Sequence, residues 1–209
     1  VSGAYGQGLQ RYYLEKTDEG YCLAKPGYSA QGWSHYTTDG GYVLRGILKV
    51  GDKVYLADND GCLARNGKSE SGWLVTSAYG QGLQRYWVEG HDGNDGGYAR
   101  VGFSKDGWNH FTTSAGYVLR GASDEAGVKR YANNDGNVYD GWIVTSAFTG
   151  GLERFYQKGG SLLRSTFFND GGWWAYASDS SAVLRGVKMV SNGVVLADNE
   201  GKIAGGDTG

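Results

Sequence analysis

The sequence predicts an all-β fold, an elongated solenoid of stacked β-hairpins. Three observations support this prediction. One long stretch occurs three times, glycine and aromatic residues are abundant, and no segment keeps an apolar i, i+3, i+4, i+7 pattern over three helical turns.

The repeated stretch reads Val-Thr-Ser-Ala-Tyr-Gly-Gln-Gly-Leu-Gln-Arg-Tyr-Trp at 75–87, and close copies lie at 1–13 and 144–156. The copies recur about every 70 residues, which is longer than most single repeat units. We therefore expect a single repeat array with long repeats 1–71, 72–140 and 141–209. Stacked repeats share one continuous core, so no domain boundary is expected inside the array.

The composition favours short strands and turns. The chain of 209 residues has 38 Gly and 1 Pro, together with 7 Trp, 16 Tyr and 6 Phe. The aromatic residues supply the apolar area that disordered chains lack, and the glycines fit tight turns.

Within each long repeat, three pairs of short runs flank turns rich in Asp, Asn and Gly, which supply the positive φ that hairpin turns need. The runs pair as 9–14 with 21–24, 33–38 with 42–46 and 54–57 with 62–64; then 83–88 with 98–100, 108–111 with 117–121 and 128–131 with 137–139; then 152–157 with 162–164, 173–176 with 182–186 and 194–197 with 202–204. This predicts about nine hairpins. Because a lone hairpin is marginally stable in water, the hairpins are expected to stack.

The charge balance argues against a nucleic-acid partner, since 20 basic and 22 acidic residues give a net charge of −2 and no basic run is present. No apolar stretch approaches the roughly 20 residues of a membrane span, and no signal peptide is seen. The only methionine is Met189, so we expect a piece of a longer chain or a processed product. Cys22 and Cys62 both fall in the first long repeat, and their number leaves a disulfide and two free thiols open.

A Gly-Trp motif recurs in the middle of each long repeat. It reads Gly32-Trp33-x-x-Tyr36 with Gly41-Tyr42 and Gly46, Gly107-Trp108-x-x-Phe111 with Gly116-Tyr117 and Gly121, and Gly172-Trp173-x-x-Tyr176 with Gly186. These motifs resemble the choline-binding and glucan-binding repeat superfamily of cell-wall-binding repeats in Gram-positive surface proteins. The resemblance implies a left-handed superhelix with three hairpins per turn and ligand sites in the aromatic clefts between successive hairpins. The sequence departs from the choline-binding pattern in its variable loops, such as 89–97, and in Ala182. These departures count against choline as the ligand and leave a wall polymer or a glucan open.

The resemblance implies that aromatic residues bind the ligand. The predicted ligand-binding residues are Trp33, Tyr36, Tyr42, Trp108, Phe111, Tyr117, Trp173, Tyr176, Trp87 and Tyr13. Their rings could stack on sugars or hold a quaternary ammonium group by cation–π attraction. The alternative is that each ring belongs to the stacking core.

Two sets of arginines also recur, Arg45, Arg120 and Arg185 in Leu-Arg-Gly and Arg11, Arg85 and Arg154 before the aromatic pair. They could donate to sugar hydroxyls, carboxylates or phosphates, or else pair with turn aspartates and cover the core.

No catalytic, cofactor or metal site is predicted. His35 and His110 hold equivalent positions where the third repeat has Ala175, and His91 lies in a long loop, so no unique constellation surrounds any of them. The segment Asp58-Asn59-Asp60-Gly61 fits a hairpin turn better than a calcium loop, because Leu56 stands where a calcium ligand would be needed.

Together these features predict a non-catalytic module of a secreted or surface bacterial protein that binds cell-wall polysaccharide, teichoic acid or glucan. The alternative is a stalk that spaces an adhesin or wall hydrolase from the surface without a ligand of its own. A catalytic domain outside this sequence is compatible with both, and the terminal repeats offer a surface for homodimers.

Overall fold

Runs of β-branched and aromatic residues alternate with turns containing Gly and Asp, and these runs form short strands. The computed structural model describes residues 1–3, 8–66, 68–104, 109–190 and 193–204. Over these residues it contains 20 β-strands and no helix, hence no helix that could span a membrane. The strands are β1 (Leu14–Thr17), β2 (Gly20–Leu23), β3 (Gly27–Ser29), β4 (His35–Thr37), β5 (Gly46–Val50), β6 (Lys53–Ala57), β7 (Gly72–Thr76), β8 (Gln84–Val88), β9 (Tyr98–Arg100), β10 (Gly102–Ser104), β11 (His110–Thr112), β12 (Gly121–Glu125), β13 (Val128–Ala132), β14 (Gly141–Thr145), β15 (Glu153–Lys158), β16 (Ser161–Leu162), β17 (Thr166–Asp170), β18 (Trp173–Ala177), β19 (Gly186–Val190) and β20 (Gly193–Ala197).

Antiparallel hairpins account for nearly all of these strands. The described residues form nine, numbered hairpins 1 to 9 in chain order: β1–β2, β3–β4, β5–β6, β7–β8, β10–β11, β12–β13, β14–β15, β17–β18 and β19–β20. Strand β9 adds to β6, and strand β16 adds to β15. The predictions of an all-β hairpin repeat fold and of nine hairpins are confirmed.

The predicted pairing of the runs is wrong in the second and third hairpins of the long repeats. It is also wrong for 83–88 with 98–100, since β8 pairs with β7 and β9 pairs with β6. Strand β6 pairs with β5, which precedes it, rather than with residues 62–64. The turn at Gly51 and Asp52 brings five residue pairs into register, whereas the turn at 58–61 leaves only the isolated bridge between Ala57 and Leu63. More backbone hydrogen bonds therefore form with the upstream run. The predicted pairing is correct for β1–β2 and for β15–β16.

In the second and third hairpins of each long repeat, the predicted downstream run instead ties its hairpin to the preceding one. Its backbone N–H donates to a carbonyl of the earlier hairpin or of the residues beside it. These bonds are Val43 N to Arg11 O (2.7 Å), Leu63 N to Ser34 O (2.9 Å), Val118 N to Arg85 O (2.8 Å), Val138 N to Asn109 O (2.9 Å), Val183 N to Arg154 O (2.8 Å) and Ile203 N to Trp174 O (2.8 Å). The closing runs thus stack successive hairpins.

The Asp58 turn is a hairpin-type turn, as predicted. The Oδ1 atom of Asp58 accepts hydrogen bonds from the N–H groups of Asp60 and Cys62, both at 2.9 Å. Such side-chain bonds to the following backbone hold the turn closed. Both Cys22 and Cys62 are free thiols.

The chain divides into two compact units, Val1–Asp106 with Phe111–Val118, and Gly107–His110 with Leu119–Gly209. In the first unit, Val54, Leu56, Tyr86 and Val88 form a fully buried cluster. In the second unit, the buried residues include Ile143, Phe155 and Leu162 in one cluster and Phe168, Ala175, Ala177 and Val183 in another. The boundaries of the three long repeats stay a prediction.

Candidate ligand-binding site

Two predicted ligand residues of the first long repeat, Tyr13 and Trp33, lie together. Their ring centroids are 5.6 Å apart in an edge-to-face arrangement, and both side chains are half-buried. The fully buried imidazole of His35 lies 4.6 Å from the Tyr13 ring and 4.8 Å from the Trp33 ring. His35 Nδ1 lies 2.8 Å from Trp33 O. The first repeat therefore has an aromatic cleft with an imidazole against both rings.

Of three other predicted residues, Phe111 is buried and Tyr117 and Trp87 are half-buried against neighbouring rings or the core. Phe111 is 5% exposed and contacts Phe103 at 5.0 Å, and Tyr117 packs against the Val54 cluster. Trp87 lies opposite Trp73 in the β7–β8 register, with centroids 5.0 Å apart. The ring of Phe111 in particular is covered by the protein itself. The prediction for Trp108 lies outside the described residues.

Tyr36 belongs to a cluster that holds its own cation. Its ring lies 4.3 Å from Tyr55, which lies 5.6 Å from Tyr98. Lys53 Nζ sits 4.6 Å from the Tyr98 ring and forms an ion pair with Asp95, which also accepts a 2.9 Å hydrogen bond from Tyr55. This ion pair raises the pKa of Lys53. The face of Tyr98 is thus occupied by a lysine of the same chain.

The third long repeat brings together three partly exposed rings, those of Trp142, Tyr156 and Trp173. Trp142 on β14 lies directly opposite Tyr156 on β15, with centroids 5.3 Å apart. Trp173, the predicted residue on β18, stacks on Trp142 at 5.1 Å with an interplanar angle of 13°. Phe168 on β17 packs against Trp142 and Tyr156 at 5.7 and 4.6 Å and closes the base, being only 9% exposed.

A carboxylate borders these rings. Asp170 Oδ2 accepts a 2.6 Å hydrogen bond from Trp142 Nε1, and Asp170 Oδ1 accepts one of 3.2 Å from the Tyr156 hydroxyl. Asp170 lies opposite Trp173 in the β17–β18 register, so one short hairpin supplies both the ring and the acid. Burial, together with the nearby charge of Asp170, raises the pKa of Tyr156. We call Trp142, Tyr156, Phe168, Asp170 and Trp173 the third-repeat cluster.

The sequence prediction included Trp173 and missed the other four members. Trp142 and Tyr156 carried a usable signal, because Tyr156 lies in the repeated stretch and Trp142, just before that stretch, follows glycine as Trp73 does. Asp170 and Phe168 gave no signal, because their place beside the rings depends on the β17–β18 register. Tyr176, also predicted, contacts Phe167 at 4.8 Å instead.

The remaining predicted residue, Tyr42, lines a separate cavity with Arg45. Of the two roles considered for the recurring arginines, Arg11 has the second, pairing with a turn aspartate. It donates to Asp60 O at 2.6 Å and to Asp60 Oδ1 at 3.1 Å. Arg185 pairs with Glu153 at 2.7 Å.

No protein-family model and no curated protein matches the chain. Solved structures do match it. CbpJ from Streptococcus pneumoniae TIGR4 aligns with a TM-score of 0.51 at 15% identity, over 92% of this chain and 70% of that one. Choline binding protein F from Streptococcus pneumoniae aligns with a TM-score of 0.50 at 16% identity, over 94% and 71%. The chain therefore has the fold of these two proteins, and its resemblance to the choline-binding and glucan-binding repeat superfamily is confirmed at the level of the fold.

Proposed function

We propose that the protein is a non-catalytic module that holds a secreted or surface bacterial protein on the carbohydrate of a cell wall. The observation that carries this proposal is the third-repeat cluster, in which two stacked tryptophans stay partly exposed beside a carboxylate. Stacked aromatic faces with one polar edge suit a ligand that has an apolar face and a polar or charged group.

The charge of Asp170 favours a positively charged group over a neutral sugar. A quaternary ammonium group over a tryptophan face gains about 0.5–2 kcal/mol from cation–π attraction, and a carboxylate beside it adds Coulomb attraction. A wall polymer that carries choline would present such groups. The match in fold to choline binding protein F supports this choice of ligand class.

A weak site of this kind is useful on a polymer. Each contact would bind with low affinity, but several contacts along one chain of repeated ligand groups raise retention through effective concentration. The proposed partner is therefore an insoluble polymer rather than a free sugar.

The second candidate function is a spacer without a ligand. The observation that favours it is the closure of other aromatic groups, since Phe111 is buried and Lys53 occupies the face of Tyr98. Under this alternative the third-repeat cluster would only stabilise the fold.

The test uses sedimentation with insoluble polymers: intact Gram-positive wall, wall stripped of teichoic acid, α-glucan and cellulose, each with and without free choline. The variants are Trp142→Ala and Trp173→Ala, and the matched control is Trp174→Ala. Trp174 neighbours Trp173 on β18 but points to the opposite face of the strand and is 41% exposed. We expect each cluster variant to lower affinity for the bound polymer about 2- to 30-fold, as the cation–π range implies.

The variant Asp170→Asn separates the two ligand classes. If the ligand is an ammonium-bearing polymer, this variant should bind the polymer more weakly, and free choline should release less of it. If the ligand is a neutral glucan, its binding should be nearly unchanged. If the parent protein binds a polymer and the Trp142→Ala and Trp173→Ala variants bind it equally well, the third-repeat cluster is not the binding site. No sedimentation with any polymer would favour the spacer.

A further inference from the structure

A second cavity lies in the first compact unit, and its lining does not include Tyr13 or Trp33. It has a volume of about 400 Å³, and its polar and aromatic lining includes Gln10, Tyr42, Arg45 and Asn59, with Tyr79 at one side. An aromatic ring, a guanidinium and two side-chain amides are groups that can fix a polar ligand such as a sugar.

Arg45 is held in place by neutral partners only. Its Nη2 donates to Leu9 O and to Gln10 Oε1, both at 3.0 Å. Among the described residues no carboxylate forms an ion pair with Arg45, so its charge is uncompensated. Because both bonds come from Nη2, the Nη1 and Nε donors remain for a ligand as far as the described residues go. The guanidinium is therefore oriented and still able to bind an acid.

The third repeat has a cavity at the equivalent position, beside Arg185, in which the charge of the arginine is neutralised. A cavity of about 340 Å³ is lined there by Arg185, Glu153, Lys188 and Ala182, which stands at the position of Tyr42. Glu153, at the position of Gln10, pairs with Arg185 at 2.7 Å, and Lys188 pairs with Asp179 at 3.1 Å. Both cations of the third-repeat cavity are thus paired within the chain.

Two acids that flank the lining residue Asn59 in the sequence, Asp58 and Asp60, are engaged elsewhere. Asp58, whose charge contributes to raising the pKa of Tyr79 to about 12 after the larger effect of burial, accepts the turn N–H groups of Asp60 and Cys62. Asp60 pairs with Arg11. Neither carboxylate is paired with Arg45.

We propose that the cavity beside Arg45 binds an acidic group, a carboxylate or a phosphate, on a sugar of the polymer that the module recognises. Arg45 donates N–H bonds from Nη1 or Nε, the donors that its two Nη2 bonds leave over, to the anionic oxygens, and Tyr42, Gln10 and Asn59 contact the sugar. Arginine suits this role because it stays charged and its charge-assisted hydrogen bonds to carboxylate and phosphate oxygens are strong. The inference relies on the proposed function only for the polymer that carries the acid.

The test titrates the 209-residue chain with small probes and follows the Arg45 Nε–H resonance by nuclear magnetic resonance. N-acetylmuramic acid carries a carboxylate, glycerol 3-phosphate carries a phosphate, and N-acetylglucosamine is the neutral control. We expect one acidic probe to shift the Arg45 resonance and to bind at least about tenfold more tightly than the neutral sugar, because charge-assisted hydrogen bonds are the stronger ones. The acid that binds identifies the source.

Two exchanges between the repeats sharpen the test. In the Gln10→Glu variant, the new carboxylate should pair with Arg45 as Glu153 pairs with Arg185, and the affinity for the acidic probe should fall at least about tenfold. The Arg45→Gln variant should lose at least as much affinity. Glu153→Gln should release Arg185 and create binding at the third-repeat cavity, whereas Arg185→Gln, the matched control, should leave the Arg45 site unchanged. Circular dichroism confirms that each variant is folded.

Equal affinity of the parent and Gln10→Glu proteins, or no acidic probe that shifts Arg45, would overturn the inference. A double variant Trp142→Ala/Trp173→Ala that still binds the acidic probe would leave it standing even if the proposed aromatic site fails.

Discussion

The turn at residues 58–61, which follows strand β6 of hairpin 3, lies so close to Val43 and Leu44 that only glycine fits at position 61. A Cβ built on Gly61 would lie 2.6 Å from Val43 Cγ1 and 3.4 Å from Leu44 O, and Gly61 has φ +86°. Gly46 has the same φ of +86°, but a Cβ there meets no described atom within 4 Å. The strain of a left-handed alanine is therefore shared by both sites, about 1–2 kcal/mol, and the clash is specific to Gly61.

Gly61→Ala should lower the free energy of unfolding by about 1–3 kcal/mol more than Gly46→Ala, since this is the usual cost of overpacking a core. Urea denaturation of both variants measures the difference. The third repeat offers a second pair of variants, Gly201→Ala and Gly186→Ala. A Cβ on Gly201 would lie 2.6 Å from Val183 Cγ1, whereas one on Gly186, with a similar φ, meets no described atom within 4 Å. Equal losses within both pairs would refute the stacking argument.

Three further predictions follow from single contacts. Gln157→Leu should lower the free energy of unfolding by about 2–4 kcal/mol in urea denaturation, because the fully buried amide bonds two backbone carbonyls and one N–H that would lose their partner. Asp95→Asn should destabilise at pH 7 and progressively less above about pH 10.5: Asp95 raises the pKa of Lys53 from 10.5, so the ion-pair contribution is complete below that pH and is lost as pH rises through the higher folded value. Cys22, which is exposed, should react with iodoacetamide faster than Cys62, whose pKa is raised by burial; comparing the Cys22→Ser and Cys62→Ser proteins by mass spectrometry checks the order.

The sequence determined strand content well and strand partners poorly. The sequence analysis predicted a hairpin turn at Asp58–Gly61 and none at Gly51-Asp52, although glycine and aspartate occur at both. The observed pairing follows from register, because five pairs form between β5 and β6 and a single bridge forms between Ala57 and Leu63. Pairing of short strands depends on such totals, which no single turn motif contains.

The candidate site was predictable only in part for a related reason. Repetition pointed to Trp173, because the Gly-Trp motif recurs in each long repeat. The stack with Trp142 and the acid at Asp170 depend on two hairpins meeting, and a motif search within one hairpin does not reveal that contact. Lys53 against Tyr98 is a further case, since their sequence separation hides that β6 pairs with β9.

Equivalent positions in this array do not make equivalent sites. The first repeat places the His35 imidazole against Tyr13 and Trp33, whereas the third repeat has the small, buried Ala175 at that position and presents Trp173 to Trp142. The cavities beside the arginines of Leu-Arg-Gly also differ. Arg45 donates to the neutral side chain of Gln10, whereas Arg185 forms an ion pair with Glu153. Under the two proposals above, the same kind of hairpin carries an aromatic and acidic site in one repeat and a basic site in another.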